Sequence, residues 1–177
     1  YYYLGGTLDD AVGEAFDKVA NILELCFPGG PNIEKLAEKG NDSLISLPKP
    51  LIKKNNLDLS FSGLKTAVLH IIKNKSKNDF FSSADIAASF QKAISDILCK
   101  KIAIAIGITN EKKVNYKNVV IAGGVAANKY LRKNLYIEVE KNNKKLVLPP
   151  VDLCTDNGAM IAWAGYELYQ SGIRSNM

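Results

Sequence analysis

The ten residues Val119-Val120-Ile121-Ala122-Gly123-Gly124-Val125-Ala126-Ala127-Asn128 constrain the fold of this chain more than any other stretch. Val119 to Ala122 read as a short buried strand, two glycines break it, and a helix is predicted directly afterwards. A brief apolar run bounded by glycine is the pattern of an inner strand in a parallel sheet, so the chain is expected to be α/β. Glycines at the carboxyl end of such a strand leave bare backbone for a ligand to lie against. The following helix points free N–H groups at the same spot, which is where open α/β sheets bind nucleotides. The spacing is neither G-x-G-x-x-G nor a Walker loop, so a tight strand-to-helix turn that holds nothing fits the bare pattern equally well.

Around this stretch the apolar periodicity predicts a helix-rich chain. Tyr1-Tyr2-Tyr3-Leu4 reads as the end of a strand, and Gly5-Gly6 turns into a helix over about Leu8 to Leu25. Thr7 is its expected N-cap, with Asp9 and Asp10 in the first turn where the helix dipole favours acids. Val12, Ala15, Phe16, Val19, Ile22 and Leu23 form the core stripe. On the opposite face Asp10, Glu14, Asp17 and Asn21 recur at helical spacing. Such a stripe is either a solvated face, with Glu14 pairing to Lys18, or the source of a carboxylate that accepts hydrogen bonds from ligand hydroxyls.

Phe27-Pro28-Gly29-Gly30-Pro31 ends that helix, and a short one follows from about Asn32 to Glu38. Residues 41–59, with Pro48 and Pro50, are predicted to be irregular and to drape over another element. Ser60 or Ser62 caps the next helix, which buries Leu64, Ala67, Val68, Ile71 and Ile72 and leaves His70, the single histidine, on its polar side. The Lys73 to Asn78 run reads as a solvated connector. The longest helix is expected over about Ala84 to Ile106, capped by Ser83 and closed at Gly107. After the glycine turn a basic helix runs to about Asn142, and Lys145-Leu146-Val147-Leu148 makes a second strand. The last helix opens at Asp156, read as an N-cap or a cation-holding carboxylate, and shows a small-residue face at Gly158, Ala162 and Gly165, implying close packing.

Composition serves mainly to exclude. No apolar run approaches the roughly 18 residues of a membrane span, and there is no signal-peptide pattern. Cys26, Cys99 and Cys154 stand apart from one another, as expected of reduced and mostly buried thiols in a cytoplasmic protein. The net charge of +5 is compatible with a nucleic-acid partner without demanding one.

Five segments, in this order, carry a resemblance. They are Thr7 to Lys18 (TLDDAVGEAFDK), Pro28-Gly29-Gly30-Pro31, Phe61-Ser62-Gly63-Leu64-Lys65-Thr66, Ala122 to Asn128, and Cys154 to Ala162 (CTDNGAMIA). Together they resemble the tRNA threonylcarbamoyl transferase family, TsaD, formerly called O-sialoglycoprotein endopeptidases or glycoproteases. The resemblance implies a ribonuclease H-like lobe of the actin/Hsp70/sugar-kinase fold, with residues 1–177 as the C-terminal nucleotide-binding lobe of a two-lobed enzyme. The first lobe, its H-x-x-x-H metal pair and its glycine-rich hairpin are then expected upstream, and the usual C-terminal tail is expected to be missing after Met177.

The implied reaction transfers a threonylcarbamoyl group from threonylcarbamoyl-AMP to N6 of adenosine 37 in tRNAs reading codons that start with A. By motif, Asp17 would hold the ribose hydroxyls, Gly30 and Asn128 would contact the adenylate, and Gly123 and Gly124 would admit its base. Asp156 would be one of three ligands to an iron or zinc ion; no catalytic residue is assigned. Implied partners are tRNA, accessory proteins and a homo- or hetero-dimer mate, with no membrane. The chain departs from the family at Gly5-Gly6-Thr7, where Gly-Glu-Thr or Gly-Glu-Ser is usual. With one of three ligands present it is expected to be metal-poor and inactive alone. Two alternatives are a non-catalytic scaffold subunit and a metallopeptidase, the older label; no H-E-x-x-H motif supports the latter.

Overall fold

The computed structural model describes residues 2–76 and 80–174, so the end of the predicted Lys73–Asn78 connector and the Met177 terminus lie outside the described residues. Its organising element is a 29-residue helix, α4 (Ser83–Glu111). Ser82, not Ser83, is the cap: its side chain accepts from the Asp85 N–H while Asp85 accepts from the Ser82 N–H, a full capping box. The helix passes through Gly107, where a stop was expected. A mid-helix glycine costs only about 1 kcal/mol, and Ile106, the residue before it, is buried.

Against α4 pack α1 (Val12–Ile22), α2 (Gly29–Ala37), α3 (Ser62–Lys73) and α5 (Lys129–Lys141). Phe16 of α1 meets Phe90 of α4 edge to face, with ring centroids 5.1 Å apart. Ile33, Leu64, Ile94, Ile97, Leu131 and Val139 complete a core closed to solvent.

Helix α1 starts four residues later than predicted because the residues expected to open it are engaged elsewhere. Thr7 forms a parallel bridge with Leu59. Asp9 accepts from the N–H groups of Phe61 and Ser62 at 2.8 and 3.2 Å, and from the hydroxyls of Ser60 and Ser62. It therefore caps α3 from 52 and 53 residues away, a task the sequence assigned to Ser60 or Ser62. Burial tends to raise the Asp9 carboxyl, but these four hydrogen bonds outweigh it and hold the group well below the usual carboxylate range. Residues 2–4 are not in a strand, and Tyr2 and Tyr3 are almost wholly exposed.

The irregular 41–59 stretch does drape, over the middle of α4. The Lys101 ammonium donates to the carbonyls of Leu51, Lys54 and Asn56 and to the Asn56 side chain at 2.8–3.3 Å. Of the cysteines, Cys154 is buried, Cys99 is half-buried and Cys26 is exposed, since the chain has already left α1 at Cys26. Burial pushes the Cys99 thiol up.

Two strands, β1 (Asn118–Val120) and β2 (Lys145–Val147), pair in parallel with Val119 opposite Leu146, joined by α5. The fold is thus helix-rich α/β with a small parallel sheet. The inner-strand expectation fails in one respect: Val120 is 67% exposed, because helices cover one face of the pair and nothing among the described residues covers the other. The final helix, α6 (Gly158–Gln170), departs further. Every one of its residues is exposed, and a side chain added at Gly158 or Gly165 would touch nothing. Its predicted close-packed face has no partner among the described residues. No described helix is long and apolar enough to cross a membrane.

Candidate functional site

Helix α1, the start of α2 and the glycine turn converge on a cavity of about 460 Å³. Val12, Gly13, Phe16 and Asp17 of α1 form one wall, and Pro28, Gly30 and Pro31 a second. Ala122, Gly123, Gly124, Val125 and Ala127 form the third, with Thr155 at the rim. Gly123 has a φ of 93°, a left-handed conformation that disfavours any side chain. It leads into a short 3-10 turn, Gly124–Ala127, before α5 begins, so the predicted direct strand-to-helix step contains one extra turn. No atom lies within 4 Å of where a side chain would stand on Gly123 or Gly30. Bare backbone therefore faces open space on two walls.

Asp17 is the one ionisable group in this largely apolar lining. Its Oδ1 accepts from the Gly29 N–H at 2.8 Å, which caps α2 and explains why that helix starts at Gly29, not Asn32. Gly29 must be glycine: a side-chain carbon there would stand 2.6 Å from the Asp17 Cα and 2.8 Å from the Ala20 Cβ. Among the described residues nothing donates to the second Asp17 oxygen. The rest of the acidic stripe is a solvated face, since Lys18 reaches both Asp10 and Glu14, at 2.7 and 2.8 Å. Periodicity could not separate Asp17 from Asp10 and Glu14; the distinguishing signal is the glycine-proline turn that follows.

Asn128 stands apart from the lining. It is buried, its Oδ1 caps α5 at the Leu131 N–H (2.9 Å), and its amide donates to Gln91 at 2.7 Å. Asp156 is exposed just beyond Thr155, and the N-cap of α6 is Asn157, which accepts from the Met160 N–H at 2.9 Å. Sequence reasoning missed Arg132, counted there only as part of a basic helix. Its guanidinium donates to the carbonyls of Ala126 and Pro149 (2.7 Å to the latter) and lies 3.1 Å from the Cys154 sulfur. One side chain thus ties the glycine turn to the end of the β2 segment and to the approach to Thr155.

A half-open, largely apolar slot with bare backbone on two sides and one free carboxylate oxygen suits a flat heterocycle carrying vicinal hydroxyls. Comparison with known proteins agrees in kind. The family described as "TsaD: tRNA N6-adenosine threonylcarbamoyltransferase" matches residues 1–163. The chain belongs to the TsaD family. Among curated TsaD relatives, one from Thermosipho africanus is 51% identical over 173 residues, covering 98% of this chain and 51% of the relative. Another from Thermosipho melanesiensis is 55% identical over 166 residues, with 94% and 49% covered. A third from Rickettsia rickettsii is 53% identical over 174 residues, with 97% and 50% covered. All three are named tRNA N6-adenosine threonylcarbamoyltransferase, and the chain spans about half their length.

TsaD proteins generally bind a metal ion, and the described residues do not suffice for one. No three His, Cys, Asp or Glu side chains gather anywhere among them. Asp156 is a single exposed carboxylate, whereas zinc or iron needs at least three protein donors. His70, on the exposed side of α3, is not near enough to join any such group.

Proposed function

We propose that this chain is the adenylate-binding part of a tRNA N6-adenosine threonylcarbamoyltransferase, a lobe of the actin/Hsp70/sugar-kinase type working in the cytoplasm. The single observation that carries this reading is the cavity. It brings Asp17, Gly30, Gly123 and Gly124, drawn from segments a hundred residues apart, around one slot.

In this reading the adenine of threonylcarbamoyl-AMP lies against the Gly123-Gly124 backbone, and the free oxygen of Asp17 accepts from the ribose hydroxyls. Gly30 leaves the sugar room at the α2 mouth. Asn128 acts as a positioning residue, fixing the start of α5 behind the turn. Transfer breaks the bond between the carbamoyl carbon and the phosphate oxygen and forms one to N6 of adenosine 37, releasing AMP and a proton. The groups that drive this step, the metal donors beyond Asp156, and the accessory proteins belong to the rest of the enzyme, which also covers α6.

Titration of the chain with AMP, followed by amide chemical shifts, tests the reading. Shifts are expected at Gly30, Gly123 and Gly124, with AMP bound more tightly than CMP because the slot suits a purine. Absence of binding at millimolar AMP, or shifts confined to other surfaces, would overturn it.

A further inference from the structure

The positive charge of this chain is concentrated. Residues 111–145 hold nine lysines and arginines against three acidic residues, so this fifth of the sequence exceeds the net charge of the whole. The fold gathers these residues. Tyr116 is held by Thr109, with hydroxyls 2.7 Å apart, while the Lys144 ammonium donates to the Tyr116 carbonyl and lies 3.9 Å from its ring. The Lys145 N–H donates to the Lys117 carbonyl at 2.9 Å. The loop after α4 and the turn after α5 therefore form one edge, at the amino ends of both strands. It exposes Lys112, Lys113, Lys117, Lys141 and Lys145.

From that edge α5 leads back to the cavity. Its 13 residues span about 20 Å, with Lys129 and Lys133 exposed near the glycine turn and Tyr136, 53% exposed, between them and Lys141. Of the acidic residues near the track, Glu138 lies 4.0 Å from Lys141, Glu111 and Glu140 are exposed, and Glu34 and Glu38 line one pocket with Lys129 and Lys133; no described carboxylate pairs with Lys112, Lys113, Lys117 or Lys145. Unpaired lysines spread over this length, with an exposed aromatic among them, are a surface for a phosphate backbone and an unstacked base.

We propose that this edge and the exposed side of α5 form an RNA-docking track, which holds the phosphates of the substrate RNA while one adenosine is presented at the mouth of the cavity that holds the threonylcarbamoyl donor. The inference rests on the function proposed above and adds to it the surface that grips the substrate. Compact ammonium groups suit a folded RNA read by its backbone, and the track ends beside the slot proposed to hold the group donor.

Fluorescence anisotropy with an end-labelled, unmodified tRNA transcript between 50 and 200 mM salt tests it. The triple variant Lys113→Ala, Lys117→Ala, Lys145→Ala should lose at least about tenfold in affinity at 100 mM salt, and its slope of log K against log salt should flatten by about 2–3. A control triple of exposed lysines elsewhere, Lys53→Ala, Lys65→Ala, Lys73→Ala, should stay within about twofold of the parent. Equal losses in both triples would show a mere net-charge effect and overturn the track, as would an unchanged slope in the first. A DNA duplex bound as tightly as the tRNA would equally count against an RNA surface. AMP titration of the first triple should match the parent. RNA binding that behaves as described in a chain that ignores AMP would overturn the nucleotide reading and leave the track standing.

Discussion

Replacing Lys101 by methionine should unlatch the 51–56 segment from α4. Lys101 is 5% exposed and faces no carboxylate in hydrogen-bond contact; its four bonds go to three carbonyls and one side-chain amide oxygen. Burial lowers the pKa of the ammonium, opposed by the nearby Asp58 charge. Two effects compete in Lys101→Met. Removing a buried charge recovers its desolvation penalty, which is why apolar replacement of a whole buried ion pair is often neutral. Here, though, the partners are backbone groups that no substitution removes. Hydrogen bonds to a charged donor contribute about 1.5–3 kcal/mol each, and orphaned acceptors carry a further cost. Because Lys54 is exposed and Leu51 and Asn56 are only half-buried, the orphaned carbonyls can rehydrate, the lower part of that range applies, and the net loss is about 2–3 kcal/mol. For a chain of this size that lowers Tm by about 4–12 °C. Urea unfolding gives the magnitude, and limited trypsin digestion at Lys53 and Lys54 shows whether the loss is local. A methionine variant within about 0.5 kcal/mol of the parent, uncut at those lysines, would refute the latch.

Asp9→Asn should weaken the cap on α3 by about 1 kcal/mol at pH 7. The folded carboxyl titrates below its ordinary 3.8, so the stabilisation is present above about pH 4 and fades as pH falls toward the folded value. The gap between parent and variant urea curves should therefore narrow as pH falls below about 4, and a gap as wide at pH 2 as at pH 7 would contradict this. Gly29→Ala drives a methyl into Asp17 and Ala20 and should cost about 1–3 kcal/mol by overpacking, read by thermal unfolding; a neutral result would mean α1 and α2 separate freely. Helix α6 exposes Ile161, Trp163, Tyr166 and Tyr169 by 52–65%, so the chain should self-associate. Light scattering should give a mass that rises with concentration above 19.3 kDa, and a strictly monomeric mass would show that α6 is covered in solution.

The helices were legible because their apolar residues recur at 3.6-residue spacing; the buried positions Phe16, Val19, Leu64 and Val68 all follow from it. The starts of α2 and α3 were less legible, since local capping rules ignore caps that arrive from afar. Asp9 reads as a first-turn residue of its own helix and serves another, and Asp17 caps α2 across a helix pair. Lys101 had one signal, a lysine seven residues after Ile94 on the buried side of α4, but no pattern names the carbonyls that receive it. The glycine turn was legible as a backbone surface, yet the exposure of β1 and α6 was not. An apolar strand and an apolar helix predict burial, and the elements that would bury them are not among the described residues. For the site, motif resemblance placed Asp17, Gly30, Gly123 and Gly124, which the fold brings together. Asn128 and Asp156 came from the same motifs and stand outside the lining.

The most direct test of the site is a cycle on Asp17 with AMP and 2′,3′-dideoxy-AMP. Asp17→Asn keeps an oxygen for the Gly29 N–H, so α2 stays capped, and replaces the free carboxylate oxygen with an amide that cannot accept from a hydroxyl. If Asp17 holds the ribose, the parent should bind AMP about 10- to 150-fold more tightly than the dideoxy nucleotide, the equivalent of about 1.5–3 kcal/mol. Asp17→Asn should bind both with nearly the same, weaker affinity. Equal loss of both nucleotides on substitution, with the parent's preference for hydroxyls intact, would contradict the assignment and leave Asp17 as a helix cap alone.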